Sequence, residues 1–115
     1  MTKDPVIFLQ HILESIEIIE DFIKDSNKSE FLHSIQLQEA LVRRLEIIGE
    51  ATKNLPKNYR RKYVHVKWHE MAGMRDKLIH HYFCIDLHVV WDVIKKDLPG
   101  LKKQIQKILK EAGEY

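Results

Sequence analysis

Apolar residues recur at three- and four-residue steps along most of the chain, a pattern typical of amphipathic helices. A first helix is predicted to begin at Asp4 and Pro5, because proline is tolerated at the first helical position. It is predicted to end near Asp25. Its predicted buried stripe is Phe8, Ile12, Ile16, Ile19 and Phe22. In the polar turn that follows, Asn27 and Ser29 are equal candidates for the next N-cap.

A long second helix is predicted from about Ser29 to Leu55, where Pro56 stops it. Its apolar stripe is Phe31, Ile35, Val42, Leu45, Ile48 and Leu55. Gly49 lies inside it, where glycine costs about 1 kcal/mol relative to alanine. We therefore expect Gly49 to mark close packing against another helix.

The stretch Lys57–Lys67 is the least periodic, and it interleaves basic residues with Tyr59 and Tyr63. Such a mixture can grip a nucleic-acid backbone and stack a base, or it can be a solvated connector. A third helix is predicted from about Trp68 to His81.

Asp86 caps a predicted fourth helix, whose apolar register continues through Pro99. We expect a break at Asp97–Pro99 and a fifth helix beyond it, along the same side of the core. The residues that keep this register are Leu87, Trp91, Ile94, Leu98, Leu101, Ile105 and Ile108.

These elements predict an all-α fold, an antiparallel bundle of four to five helices in a single domain, residues 1–115. Composition agrees, since 4 Gly and 3 Pro leave few turns for an all-β fold. The single cysteine, Cys84, allows no internal disulfide, which fits a reducing cytoplasm. No signal peptide is read and no segment approaches the roughly 20 apolar residues of a membrane span. A net charge of +2 does not by itself predict a nucleic-acid partner.

The segment Met71–Tyr82, MAGMRDKLIHHY, concentrates the candidate chemistry. Arg75 offers a planar cation suited to phosphate. His80 and His81 can exchange protons near neutral pH. On one straight helix, however, His80 would lie about 140° from Arg75. Either the helix loosens near His80, or an interface completes the site.

Arg75, His80 and Tyr82 form the pattern R-x4-H-x-Y, which resembles the motif of HepT-like toxins in the HEPN superfamily. The blocks RRLEIIGEA at Arg43–Ala51, KWHEMAGMRDKLIHHYF at Lys67–Phe83 and VWDVIKKDLPGL at Val90–Leu101 resemble the same family in the same order. The resemblance covers about residues 38–101 and implies a helical bundle, a homodimer and a metal-independent endoribonuclease acting on RNA. It also implies a toxin–antitoxin pair.

Under this resemblance Arg75 and His80 are the catalytic residues. Cleavage of RNA needs a base, an acid and a cation at the phosphate, so one Arg and one His make half a site. His81 or a second subunit could supply the missing group. Without the resemblance, Arg75 would be read as an ion-pair partner of a helix carboxylate, and His80 as a core or interface histidine.

The resemblance also implies that Tyr82 is AMPylated by a minimal nucleotidyltransferase antitoxin. The alternative is an amphipathic tyrosine that covers the core. Asp76 could orient Arg75 or His80, or face solvent. Glu50 could pair with Arg75, or be an ordinary exposed glutamate.

Three other interpretations of the sequence compete with a metal-independent ribonuclease. A metal site is not predicted, because His65 precedes the helix that carries His69 and no H-E-x-x-H pattern occurs. No cofactor is expected. A non-catalytic HEPN module that docks a nucleotidyltransferase or binds nucleotide is the main alternative function. A helix-turn-helix DNA binder ranks last, because no short helix pair is evident.

Overall fold

The computed structural model describes residues 4–74, 76, 79–81 and 84–113, with the backbone alone described for 79–81 and 84. The helices are α1 (Pro5–Ile23), α2 (Lys28–His33), α3 (Ile35–Lys53), α4 (Lys57–Lys62), α5 (Trp68–Ala72), α6 (Leu87–Asp92) and α7 (Leu98–Glu111), with a π-helical segment (Val93–Asp97) before α7. Strands β1 (Ile79–His81) and β2 (Cys84–Ile85) pair antiparallel. The predicted all-α class is confirmed, with this short ladder as a local exception.

Helix α1 packs along α3 and α7, and the core lies between them. Its fully buried side chains include Leu9, Ile12, Ile16, Phe31, Leu41, Leu45, Ile48, Ile105 and Ile108. Fully burying one such side chain is worth about 1.5–3 kcal/mol relative to exposure. The bundle is therefore held chiefly by the apolar stripes that the sequence predicts.

One contact and one charge effect indicate that α1 and α7 run antiparallel. Near the end of α1, Glu20 Oε1 accepts a hydrogen bond of 2.7 Å from Lys102 Nζ, near the start of α7. At the opposite ends, Asp4 and Glu111 both act on Tyr59 of α4. Burial, then Tyr63, then these two carboxylates raise the pKa of Tyr59 to about 12. The start of α1 and the end of α7 are therefore both within electrostatic range of α4.

Capping side chains begin the helices where the sequence predicts. Asp4 Oδ1 accepts from Val6 N at 3.0 Å. Asn27 is the cap of α2, since its Oδ1 accepts from Glu30 N at 2.8 Å. Asp86 Oδ1 accepts from His88 N and Val89 N, each at 3.1 Å. Each cap satisfies backbone donors that have no partner within the helix.

The predicted single helix from Ser29 to Leu55 is wrong, because Ser34 interrupts it. Ser34 has extended backbone, and its Oγ accepts from Leu37 N at 3.2 Å as the cap of α3. Because α3 starts anew after Ser34, Ile35 does not continue the buried face of α2, and it is 69% exposed. Phe22, at the end of α1, is also outside the core, at 46% exposure.

The predicted break at Asp97–Pro99 is also wrong, since helical backbone runs from Leu87 to Glu111. Proline removes an N–H and its ring crowds the carbonyl four residues earlier, which here belongs to Lys95. The wider turns of Val93–Asp97 accommodate that missing bond without ending the helix. As expected, Leu98, Leu101 and Ile105 continue the buried side of α6.

The predicted third helix to His81 is too long. Helix α5 ends at Ala72, Met74 and Asp76 still have helical backbone, and Ile79–His81 is extended. In the ladder of β1 with β2, Ile79 pairs with Ile85 and His81 pairs with Cys84. The apolar spacing wrongly predicted helix at Ile79–His81, because β-branched and aromatic residues in this stretch also suit a strand that has a partner.

Candidate active site

Gly49 fixes where α5 lies on α3. A Cβ added at Gly49 would be 3.1 Å from Met71 O, 3.5 Å from Met74 Cβ and 3.6 Å from Ala72 O. Backbone of α5 thus approaches α3 through a gap that only glycine leaves open. The predicted close packing at Gly49 is confirmed, and it anchors the helix that leads into the R-x4-H-x-Y segment.

A groove of about 430 Å³ lies beside this contact, between α1, α3 and the end of α5. We call it the α1–α3 groove. Its ionisable lining residues are His11, Arg43, Glu46, Glu50 and Lys53, with Ala72 at the α5 side. The groove is therefore charged with both signs, and it adjoins the helix that precedes the motif.

Glu50, predicted as a supporting residue, is exposed on the wall of this groove. Its position next to Ala72 suits a role near the motif. The predicted pairing with Arg75 stays a prediction, because Arg75 lies outside the described residues. Asp76 is exposed on helical backbone, so the choice between orienting a catalytic group and facing solvent also stays open.

The histidines of the motif lie on β1 rather than on a helix. His80 and His81 have extended backbone, and their side chains lie outside what the structure describes. Tyr82, like Arg75, falls outside the described residues. The departure from helix does answer one question raised by the sequence. The backbone loosens before His80, so the 140° separation expected on a straight helix no longer applies.

The sequence did not indicate that His11 and Arg43 line the α1–α3 groove. His11 is exposed on α1, with its ring 6.5 Å from Phe8 in an edge-on arrangement. Arg43 is exposed on α3. Each occupies a polar position of an ordinary amphipathic helix, so no local signal distinguishes it. Only the packing of α1 against α3 brings both to the same groove.

The Lys57–Lys67 stretch proves to be half helix. Lys57–Lys62 forms α4, and Trp68 Nε1 donates to Tyr63 O at 2.8 Å, which ties the following turn to α5. His65 precedes α5, as the sequence predicts. Among the described side chains, no group of three or more His, Cys, Asp or Glu is placed to hold a metal ion.

Together, the helical bundle and the arginine–histidine motif that follows α5 in the sequence define a helical protein of the HEPN type. A family model described as "Ribonuclease HepT-like" matches residues 12–108. The chain therefore belongs to the HepT-like ribonuclease family. In the part of the chain described, no helix is both long and apolar enough to cross a membrane.

Several curated proteins are similar to this chain over nearly all of its length. It is 55% identical over 111 residues to a "gamma-glutamylcyclotransferase and putative RNase" of Methanocaldococcus jannaschii, covering 96% of this chain and 50% of that protein. The chain thus spans about half the length of this relative. No solved structure matches the chain.

Two further relatives are matched over almost their whole length. A "putative RNase" of Caldanaerobacter subterraneus subsp. tengcongensis is 46% identical over 109 residues, covering 95% of this chain and 97% of the relative. A "probable ribonuclease HepT" of Thermococcus cleftensis is 46% identical over 103 residues, covering 90% of this chain and 94% of the relative. Both names describe a ribonuclease.

Proposed function

We propose that this protein is the toxin of a toxin–antitoxin pair, a metal-independent endoribonuclease that cleaves cytoplasmic RNA with Arg75 and His80. The observation that carries the proposal is the family match over residues 12–108, which encloses an intact R-x4-H-x-Y motif. Relatives with names that describe ribonucleases support the same reaction class.

The motif supplies two of the three groups that the reaction needs. The ribose 2′-oxygen loses its proton to a base and attacks phosphorus, and the bond from phosphorus to the 5′-oxygen breaks. An acid returns a proton to that 5′-oxygen, which leaves a 2′,3′-cyclic phosphate and a 5′-hydroxyl. His80 performs one proton transfer. Arg75 holds the phosphate with two charge-assisted hydrogen bonds and stabilises its developing charge.

A second copy of the chain, or His81, supplies the other proton-transfer group, and we favour a homodimer. Its support is a groove of about 520 Å³ beside β2, which Ile35, Val42, Ile85 and Leu87 line together with Gln38, Glu39 and Glu46. Ile35 is 69% exposed and Ile85 is 40% exposed. A self-complementary contact here would bury both side chains and bring two β1–β2 segments together.

The partner antitoxin is a minimal nucleotidyltransferase that inactivates the toxin at Tyr82. The phenol oxygen attacks the α-phosphorus of ATP, pyrophosphate leaves, and AMP stays attached through a phosphodiester. This adds one negative charge and a nucleoside, close in sequence to Arg75 and His80. The new charge competes with the RNA phosphate for Arg75, and the nucleoside blocks access.

The ribonuclease proposal is tested with purified, unmodified protein and single-stranded RNA in excess EDTA. We expect cleavage to persist and the products to carry 2′,3′-cyclic phosphate. His80→Ala should lose about 10²–10⁴-fold in rate, the usual contribution of a general acid or base. His88→Ala is the matched control, because His88 is exposed on α6, outside the motif.

Two results would contradict the proposal. Cleavage that stops when EDTA is added would show that a metal is required. Cleavage that His80→Ala leaves at the wild-type rate would remove His80 from the chemistry. Absence of cleavage by the unmodified wild type would instead favour the non-catalytic module.

A further inference from the structure

A second groove, of about 540 Å³, lies between α4 and α5, and four of its nine lining residues are Lys or Arg. We call it the α4–α5 groove. Lys57, Arg60, Arg61 and Lys67 contribute four positive charges to it, against the single carboxylate of Glu70. We propose that the α4–α5 groove binds the phosphate backbone of the RNA substrate and leads the strand to the motif. This inference rests on the proposed ribonuclease function.

Charge separates this groove from the α1–α3 groove. The α1–α3 groove sets Arg43 and Lys53 against Glu46 and Glu50, so its formal charges cancel with His11 neutral. The α4–α5 groove has a formal charge of +3, larger than the +2 of the entire chain. A polyanion is attracted to the local potential rather than to the net charge, so it should bind at α4–α5.

The aromatic residues of the same stretch decide what part of the RNA is recognised. Tyr59 and Tyr63 pack against the hydrophobic core, with ring centroids 5.3 Å apart. Burial raises the pKa of Tyr59 to about 12, so its phenol is neutral at physiological pH. With these rings turned towards the core, the base-stacking role considered from the sequence is not supported. Contacts to phosphate alone do not depend on base sequence.

The groove is linked to the motif along the sequence, through α5. The indole of Trp68 is buried and bonded to Tyr63 O, so α5 is fixed against the turn that follows α4. His69 of α5 lines the groove, and Asp76 lies seven residues further on. Seven residues span at most about 25 Å even when fully extended. A strand of several nucleotides is therefore long enough to extend from the groove to Asp76.

An RNA strand fits this groove better than an acidic protein does. The buried centres of protein interfaces are depleted of lysine and rich in apolar and aromatic side chains. Here Lys57 and Lys67 are exposed. Of the apolar lining residues, Val66 and Trp68 are buried in the core and Val64 is 79% exposed. Such a surface favours phosphate contacts that depend strongly on salt.

The test compares two charge-matched variants of the full chain. Lys57→Gln with Arg61→Gln removes two exposed cations four residues apart in the groove. Lys24→Gln with Lys28→Gln removes two exposed cations, also four residues apart, near the other end of α1. Helix α1 is about 28 Å long, and its start is the end near α4. Circular dichroism checks that each variant keeps its helix content.

Binding is measured by fluorescence anisotropy with a 2′-O-methyl oligoribonucleotide, which lacks the attacking hydroxyl and cannot be cleaved. Each phosphate contact contributes a slope of about 0.7 to the fall of log K with log salt for single strands. The groove variant should therefore lose about 1.4 in slope, and affinity on the order of tenfold at 0.1 M salt. The Lys24/Lys28 variant should bind like wild type.

Three outcomes would overturn the inference: wild type that does not bind the oligonucleotide, a groove variant with unchanged affinity and slope, or a groove variant that loses binding to polyglutamate alone. The last would assign the groove to an acidic protein. The proposed function fails separately. If wild type cleaves no RNA but the two variants still differ in binding, the groove is an RNA-binding surface on a protein that is not a ribonuclease.

Discussion

The side chain with the sharpest chemical test is Tyr82, the proposed acceptor of AMP. Incubation with the nucleotidyltransferase partner and ATP should add the mass of AMP to wild type, and intact-mass measurement detects it. Tyr82→Phe keeps the ring but removes the acceptor oxygen, so it should gain no mass and should escape inactivation. Loss of the charge-assisted contact between Arg75 and RNA phosphate in the modified protein should cost about 1.5–3 kcal/mol.

Tyr63→Phe is the matched control for this experiment, because Tyr63 is a half-buried tyrosine outside the motif. It should be modified like wild type. If wild type gains no AMP, or if Tyr82→Phe gains the same mass as wild type, Tyr82 is not the acceptor. The antitoxin would then inhibit by covering the site.

Between helices, the contact at Gly49 should control both stability and the position of α5. Alanine in a helix interior is favoured over glycine by about 0.5–1 kcal/mol. At Gly49, however, the added methyl would be 3.1 Å from the backbone oxygen of Met71. We expect Gly49→Ala to lower the free energy of unfolding, because overpacking against backbone outweighs the propensity gain. Urea denaturation measures it.

Gly100→Ala is the internal reference for that measurement. Gly100 lies in helical backbone of α7, and a Cβ there would meet nothing within 4 Å. This substitution should therefore stabilise the protein by about 0.5–1 kcal/mol. Equal stabilisation by both substitutions would show that α5 yields easily to the extra methyl, and that Gly49 does not set its position.

For the whole molecule, the main expectation is a homodimer formed through the groove beside β2. Light scattering across micromolar concentrations should give twice the mass of one chain, and activity per chain should fall on dilution. Ile35→Gln should weaken the dimer, since this exposed side chain lines the groove. Val64→Gln, at the more exposed Val64, should leave the dimer intact.

Under the dimer proposal, cleavage requires a proton-transfer group from each of two chains. A strictly monomeric protein that still cleaves RNA would assign both proton transfers to one chain, with His81 as the second group. A dimer that Ile35→Gln does not weaken would place the contact elsewhere on the surface.

Local sequence patterns were sufficient for much of the fold. Helical spacing placed Ile12, Leu45 and Ile105 in the core, and capping chemistry placed the starts of α1 and α6. These features depend on neighbours within about one helical turn, so the sequence contains them directly. The R-x4-H-x-Y pattern likewise names its candidate residues, and their roles await the experiments above.

Other features depended on contacts between segments that are distant in the sequence. Ser34 ended a helix whose apolar register appeared continuous, which left Ile35 exposed. Pairing of Ile79–His81 with Cys84–Ile85 replaced helix by strand, because an available partner outweighs a local preference.

The surroundings of the motif were decided in the same way, by packing. His11 joins Glu50 in one groove because α1 lies along α3, and Gly49 admits the backbone of α5. Tyr59 and Tyr63 pack against the core, whereas Lys57, Arg61 and Lys67 of the α4–α5 groove are exposed. The residue types were visible in the chain, but their neighbours and exposure follow from burying apolar surface between helices, a balance set over the entire bundle.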